Sequence, residues 1–375
     1  MSISSSDKDI QLNKARAYIL GMLVVVFCIM ILVGALVYYV DPFFHYHGPI
    51  EGFSYVIDDQ LTQNPGMAEH FDYDSAILGS SMTVNFNPDY FKELMGVNTL
   101  KLSYSSAYPK DISNILAKIY EPRQDGSSHQ IKKIFLGLDV ITYSGDVEET
   151  KYPLPEYLYD DNPINDIKYL VNKDVLLNYV LRPMVDPEPM DLSKIYVSWW
   201  TDEYYSEERV LLGHDYIEAK NPDKLPDHAF DEPIAENLRV NIIPYIEAHP
   251  ETEFVIFFPP YSILFFNDAI MNSHIEATLN SYIVVEKMLN SFDNVSMYYF
   301  PAMTDVVTDL NNYADYTHYH PDINKYMTEC FVDGEYYIAK DEEDGTHMSD
   351  YMNKMNELID TYDFESLRDR LRSHH

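Results

Sequence analysis

Residues Ala17 to Val40 form a nearly unbroken apolar run that contains no charged side chain. About 20 such residues cross a bilayer as a helix, so this run constrains everything that follows it to fold on one side of a membrane. The flanks choose the side. Lys8, Lys14 and Arg16 precede the run, whereas no Lys or Arg follows it until Lys92, and Asp41, Glu51, Asp58 and Asp59 all come after it. The positive-inside rule then predicts a cytoplasmic tail over residues 1–16, a transmembrane anchor over 17–40 and an extracytoplasmic remainder. A cleaved signal peptide is the competing reading. The run is long for that, and Val33-Gly34-Ala35-Leu36 makes a poor cleavage site.

Charge narrows the partners. The 375 residues carry 26 Lys and Arg against 61 Asp and Glu, a net charge of −35. That field repels phosphate backbones, and no basic stripe offsets it locally, which argues against nucleic-acid binding. Hydrophobic residues make up 46% of the chain, with 33 Tyr and 18 Phe, so a large core is expected despite the charge. Cys28 lies in the apolar run and Cys330 is the only cysteine beyond it, so no disulfide is available within the outer domain. Its stability must come from packing, and a bacterial cell surface fits a chain of this kind.

Past the anchor, Asp41-Pro42-Phe43-Phe44-His45-Tyr46-His47-Gly48-Pro49 is aromatic and bounded by prolines, as expected of a juxtamembrane linker (41–70) at the bilayer interface. Short apolar runs then read as strands: Ser75–Leu78, Val97–Leu102, Ile131–Leu138, Glu253–Phe258 and Val295–Phe300. Helical stretches fit between them at Pro88–Met95, Tyr108–Tyr120, Ile234–Ala248 and Asn272–Ser291. The alternation predicts an α/β fold, a three-layer sandwich around a five-stranded, mainly parallel sheet spanning residues 71–335. The spacing breaks over about 142–231, a Tyr-, Asp-, Asn- and Pro-rich insertion that carries a short helix near Ile164–Val171 and Trp199-Trp200. It reads either as an elaboration at the edge of the active site or as plain surface. An acidic helical tail over 336–375 closes the chain.

Two motifs carry chemistry. Gly79-Ser80-Ser81-Met82 follows the first strand, where a small glycine lets the chain turn sharply and present the next side chains at the strand's carboxyl end. Asp315-Tyr316-Thr317-His318 stands far downstream. A serine hydroxyl becomes a nucleophile when an imidazole takes its proton, and a carboxylate fixes the imidazole's tautomer. Asp and His three residues apart can supply both. Each motif alone reads equally as a turn or a helix cap. His320 is a rival base without a carboxylate three positions before it. Other clusters are weaker: His45 and His47 lack a third metal ligand, and Asp341-Glu342-Glu343-Asp344-Gly345 lacks the alternating ligands of a calcium loop. No metal or organic cofactor is called for. Trp199-Trp200 would either stack on sugar rings or anchor the insertion.

Taken with the five alternating strands, these motifs make the chain resemble the SGNH/GDSL hydrolases, over roughly residues 70–140 and 250–330. The single anchor and the Gly-Ser-Ser variant look more like the membrane-anchored branch, which includes the D-alanyl transfer protein of teichoic acids and the alginate O-acetylation proteins. The resemblance implies Ser81 as nucleophile, His318 as general base and Asp315 as its orienting acid, with Ser80 structural. It also implies oxyanion donors from a second block, here Ser103-Tyr104-Ser105-Ser106, and from a third, here Gly137-Leu138-Asp139. Ser105 stands where glycine is usual and Asp139 near the place of an asparagine; an ionised aspartate cannot donate a hydrogen bond. Asn85 and Asn87 are replacement donor candidates. The implied function is serine-dependent acyl transfer to a cell-surface polysaccharide or teichoic-acid-like polymer, with a multi-spanning membrane O-acyltransferase as a partner. A surface-glycan esterase, or a non-catalytic glycan-binding scaffold, are the alternatives.

Overall fold

Five short runs, buried along nearly their whole length on both faces, form the sheet. In a computed structural model that describes residues 5–122, 128–199, 201–215, 224–340 and 346–374, β1 (Ser75–Leu78), β2 (Thr99–Lys101), β3 (Lys133–Gly137), β4 (Glu253–Phe258) and β5 (Val295–Tyr299) lie in the order β2-β1-β3-β4-β5, all parallel. Alternate side chains serve opposite faces. Ile77, Phe135, Val255 and Phe257 join a core with Phe91, Ile323, Met327 and Leu367 from the helices Pro88–Met95, Pro321–Asp333 and Phe364–His374. On the other face Phe258 packs edge-on against Tyr282 of the helix Ile275–Leu289, their centroids 5.0 Å apart. The expected α/β architecture around a five-stranded sheet is therefore present, with every pairing parallel.

The chain turns outward from β1 to β2, then returns across β1 to β3. The carboxyl ends of β1 and β3 are therefore a topological switch point, where open α/β sheets hold their ligands. Backbone crowding there is severe: a Cβ on Gly79 would sit 2.7 Å from the Thr83 methyl and 2.9 Å from the Gly137 carbonyl oxygen.

Two helical expectations need correcting, and one helix was not expected. Ile234–Ala248 is two helices, Asp231–Asn241 and Ile243–Ala248, because Pro244 has no N–H with which to continue the first. The acidic tail likewise breaks at Tyr362-Asp363 into Met348–Thr361 and Phe364–His374. The linker contains a helix, Gln60–His70, hidden in the sequence by Pro65-Gly66.

Contacts divide the chain into two units. One holds residues 1–57, 65–71 and 155–190; the other holds 58–64, 72–154 and 191–375, and so the whole sheet. In the first, the long helix Ser5–Val40 ends at Asp41, whose buried carboxylate accepts the backbone N–H groups of His45, Tyr46 and His47 and the Tyr169 hydroxyl at 2.7–3.1 Å. The two linker histidines are used locally. His45 lies 3.5 Å from the Asp166 carboxylate, and His47 Nδ1 lies 2.7 Å from the Gly48 carbonyl.

In the second unit β2 buries a lysine completely. Lys101 Nζ donates to the Val84 carbonyl at 2.6 Å, just past the Ser81 turn, and burial pushes its pKa down to about 7. Between about pH 7 and 10 the unfolded chain holds this proton more tightly than the folded one, so stability should rise with pH across that window. Lys101→Met should gain about 2 kcal/mol at neutral pH and lose that pH dependence, as relief of a buried charge predicts. Denaturant unfolding of both proteins at pH 7 and 9.5 checks this, and parallel curves would mean that the ammonium is solvated.

Candidate active site

A strand end, a 3-10 turn and a hairpin-like loop meet at the switch point. Gly79, with φ at +141°, turns the chain out of β1 into the 3-10 turn Ser81–Thr83, capped by the Ser80 hydroxyl, which accepts the Met82 N–H. Opposite, Tyr313 and Tyr319 pair in an isolated antiparallel bridge, and the loop between them carries Asp315 and His318. The Tyr319 hydroxyl donates to the Met82 carbonyl at 2.9 Å, which fixes this loop to the serine turn. Ser262 Oγ donates to the Tyr316 carbonyl at 2.6 Å, tying it also to the segment after β4.

The result is a continuous hydrogen-bonded chain. Ser81 Oγ lies 2.7 Å from His318 Nε2, and His318 Nδ1 lies 2.6 Å from Asp315 Oδ2. The second carboxylate oxygen, Oδ1, accepts the backbone N–H groups of Thr317 and His318 at 2.9 and 2.8 Å. Burial opposes ionisation of Asp315, but the His318 ring and these two N–H groups outweigh it and hold its pKa down to about 2. A fixed carboxylate at Nδ1 selects the tautomer with the proton on Nδ1, which leaves Nε2 free to accept the Ser81 proton. Ser81, His318 and Asp315 are thus brought together. His320 is placed elsewhere: its Nδ1 caps the helix Pro321–Asp333 and its Nε2 lies 3.3 Å from Asp202.

Asp139 sits deeper. Its buried carboxyl hydrogen-bonds with Ser80 and Tyr261, and burial, partly offset by those two hydroxyls and by His318, raises its pKa above the usual carboxylate range. The other sequence candidates are engaged outside the triad. Ser105 is half-buried and its N–H donates to Gln60 Oε1 at 2.8 Å. Asn85 Oδ1 accepts the Ser198 N–H at 3.0 Å, and Asn87 caps the helix Pro88–Met95.

Sequence reasoning missed Tyr261 and left the place of Trp199 open. Tyr261 follows β4, at the same carboxyl edge of the sheet, and its position past Phe258-Pro259-Pro260 was the available signal. Trp199, for which the sequence offers a stacking or an anchoring role, leans over the triad: its ring centroid is 4.2 Å from that of His318 at 31°. Tyr196 and Trp199 both hold positive φ, at 63° and 51°, conformations that non-glycine residues sustain only where surrounding contacts enforce them. Those contacts are the Tyr196 hydroxyl on Asn64 Oδ1, the Ser198 N–H on Asn85 and the Tyr205 hydroxyl on the Trp199 carbonyl. Trp200 and the acidic stretch 341–345 lie outside the described residues.

No protein-family model matches the chain, and no curated protein matches it. Among solved structures it is similar to one from Streptococcus pneumonia provisionally described as a platelet activating factor. That likeness has 13% sequence identity and a TM-score of 0.39 over 73% of this chain and 90% of the other. It is too distant to bear on function, and the site stands on its own geometry.

Proposed function

We propose that this chain is a membrane-anchored, SGNH-like serine acyltransferase that acts outside the cytoplasmic membrane on a hydroxyl-bearing cell-surface polymer. The observation that carries the reading is the Ser81–His318–Asp315 chain at the carboxyl edge of β1. Ser81 Oγ attacks the acyl carbonyl carbon while its proton passes to His318 Nε2. The tetrahedral adduct collapses, and the donor's leaving oxygen departs with that proton. A sugar or polyol hydroxyl then gives its proton to His318 and attacks the acyl-enzyme, and His318 returns the proton to Ser81 as the new ester leaves. The Ser81 N–H, first in its 3-10 turn and so without a partner inside the turn, suits the developing oxyanion, where one donor is commonly worth about 3 kcal/mol. The helix Asn13–Val40, long and apolar enough to cross a membrane, supports the anchored placement. Charge on the flanks supports an outward-facing domain.

Water in place of the polymer hydroxyl would make the same site an esterase, since nothing in the triad distinguishes the two nucleophiles. An idle scaffold fits less well, because a bystander serine has no need of an imidazole already oriented by a carboxylate. The test is labelling of the full chain by a fluorophosphonate probe of active serines. Label should survive Ser80→Ala and disappear in Ser81→Ala and His318→Ala. Absence of label in folded wild-type protein, or label retained by Ser81→Ala, would defeat the reading. If labelling succeeds, acyl content of envelope polymers with and without the gene separates transfer (content falls on deletion) from hydrolysis (content rises).

A further inference from the structure

We propose that residues 164–185 form a second membrane contact, lying in the outer-leaflet interface beside the exit of the anchor helix. The inference rests on the anchored reading of residues 17–40 and adds to it a surface remote from them in sequence. The starting point is a mostly apolar helical stretch, Val175–Val185, whose only polar or charged side chains besides Tyr179 are Asn178 and Arg182. Val175, Val180 and Pro183 are buried, yet Leu177, Leu181, Met184 and Val185 face outward, and Val185 is 86% exposed. Ile164 (83% exposed) and Ile167 extend the same kind of surface. Apolar side chains left exposed together on one helix need a covering surface or lipid, and this helix groups with the anchor rather than with the sheet.

Its neighbours indicate lipid. Within this unit the short helix Ile167–Leu170 packs directly on the anchor: a Cβ on Gly34 would lie 3.7 Å from Leu170 Cβ. Tyr169 and Tyr179 pack against Phe43, their centroids 5.3 and 4.9 Å from its ring. Gly34 lies six residues before Val40, which at 1.5 Å per residue is about 9 Å below the end of the span. Tyr38 and Tyr39, both exposed, mark the interfacial level one turn above Gly34. A segment that touches the anchor below its aromatic belt reaches the depth of the acyl chains, and the apolar side chains it turns away from the anchor must then meet lipid.

Charge agrees. In a chain of net charge −35, residues 164–185 hold Lys168, Lys173 and Arg182 against Asp166 and Asp174, a local balance of 3 − 2 = +1, and Asp166 is buried. All three cations are exposed, and among the described residues none of them forms an ion pair. Cations beside an exposed apolar surface are the pattern of interfacial segments that meet anionic headgroups.

The test uses the full chain with Cys28→Ser and Val185→Cys, labelled with NBD at residue 185 and reconstituted into phosphatidylcholine/phosphatidylglycerol vesicles. Cys330 is buried and Val185 makes few contacts, so folding is not at risk. The emission should shift to the blue, be quenched by lipids carrying doxyl near the headgroup, and resist aqueous iodide; NBD at Glu357→Cys, exposed on a helix of the sheet unit, should show the opposite. Quenching by iodide at residue 185 would overturn the inference. Protection from iodide without doxyl quenching would overturn it too, in favour of a protein partner. Alkaline extraction separates this failure from failure of the anchored reading. A chain that stays in the membrane while residue 185 faces water sinks only the second contact, whereas a chain that is extracted sinks both.

Discussion

Asp315→Asn should lower turnover of an acyl ester roughly ten-thousandfold with little change in folding, the scale expected when a triad imidazole is held in the wrong tautomer. The geometry gives the reason. An asparagine carbonyl at the Oδ1 position can still accept the Thr317 and His318 N–H groups, so the loop keeps its shape. Its amide nitrogen, however, takes the place of Oδ2 and presents a donor to His318 Nδ1. The ring must then accept at Nδ1 and carry its proton on Nε2, facing Ser81, and so has no lone pair with which to take the serine proton. The pH dependence follows from the same contacts. The pKa of Asp315 is depressed to about 2, so the stability it contributes is fully present above the ordinary carboxylate range and is lost progressively as pH falls from that range through about 2. The wild type should therefore show no acid limb from Asp315 between pH 4 and 7. Steady-state rates and thermal unfolding of the two proteins decide the point. A loss below tenfold would remove Asp315 from the mechanism, and a large loss with an unfolded variant would leave it a purely structural residue.

How much of this was legible in the sequence depends on how local each feature is. β1 and β4 were readable to the residue because strands buried on both faces are continuous apolar runs bounded by polar ones. The Asp315–His318 pair was readable because one short loop carries both side chains. Pairing across the sheet left no such trace. Tyr261 reaches Asp139 across 122 residues, and Lys101 reaches a carbonyl 17 residues away; neither leaves a pattern in its own neighbourhood. The helix Gln60–His70 was missed for the opposite reason, a misleading local signal. Pro65-Gly66 is a turn dipeptide by composition, but here Gly66 is required by a close approach, since a Cβ would lie 2.2 Å from the Phe43 carbonyl oxygen. The insertion hid its division altogether: residues 155–190 group with the anchor helix and residues from 191 onward with the sheet.

The same logic of close approach sets the largest stability effect expected in the sheet unit. Gly79→Ala should destabilise the protein by about 4 kcal/mol, and Gly96→Ala by about 1 kcal/mol, although both glycines hold positive φ. Gly96, at φ +69°, ends the helix Pro88–Met95 with nothing within 4 Å of an added Cβ, so alanine there bears only the left-handed backbone penalty. Gly79, at φ +141°, bears a backbone penalty and a collision, because its Cβ would press on the Thr83 methyl at 2.7 Å and on the Gly137 carbonyl at 2.9 Å. The methyl can shift a little, but the carbonyl belongs to β3, whose end is paired to β4 at Gly137↔Phe257. Relief therefore has to come from the turn after Gly79, which carries Ser80 and Ser81. Denaturant midpoints for both variants measure the first half of the prediction, and equal losses would mean that β1 and β3 do not converge as described. Fluorophosphonate labelling below the unfolding transition measures the second. Gly96→Ala should label at the wild-type rate, whereas folded Gly79→Ala should label slowly, because a displaced turn moves Ser81 Oγ out of the 2.7 Å contact with His318 on which its activation depends.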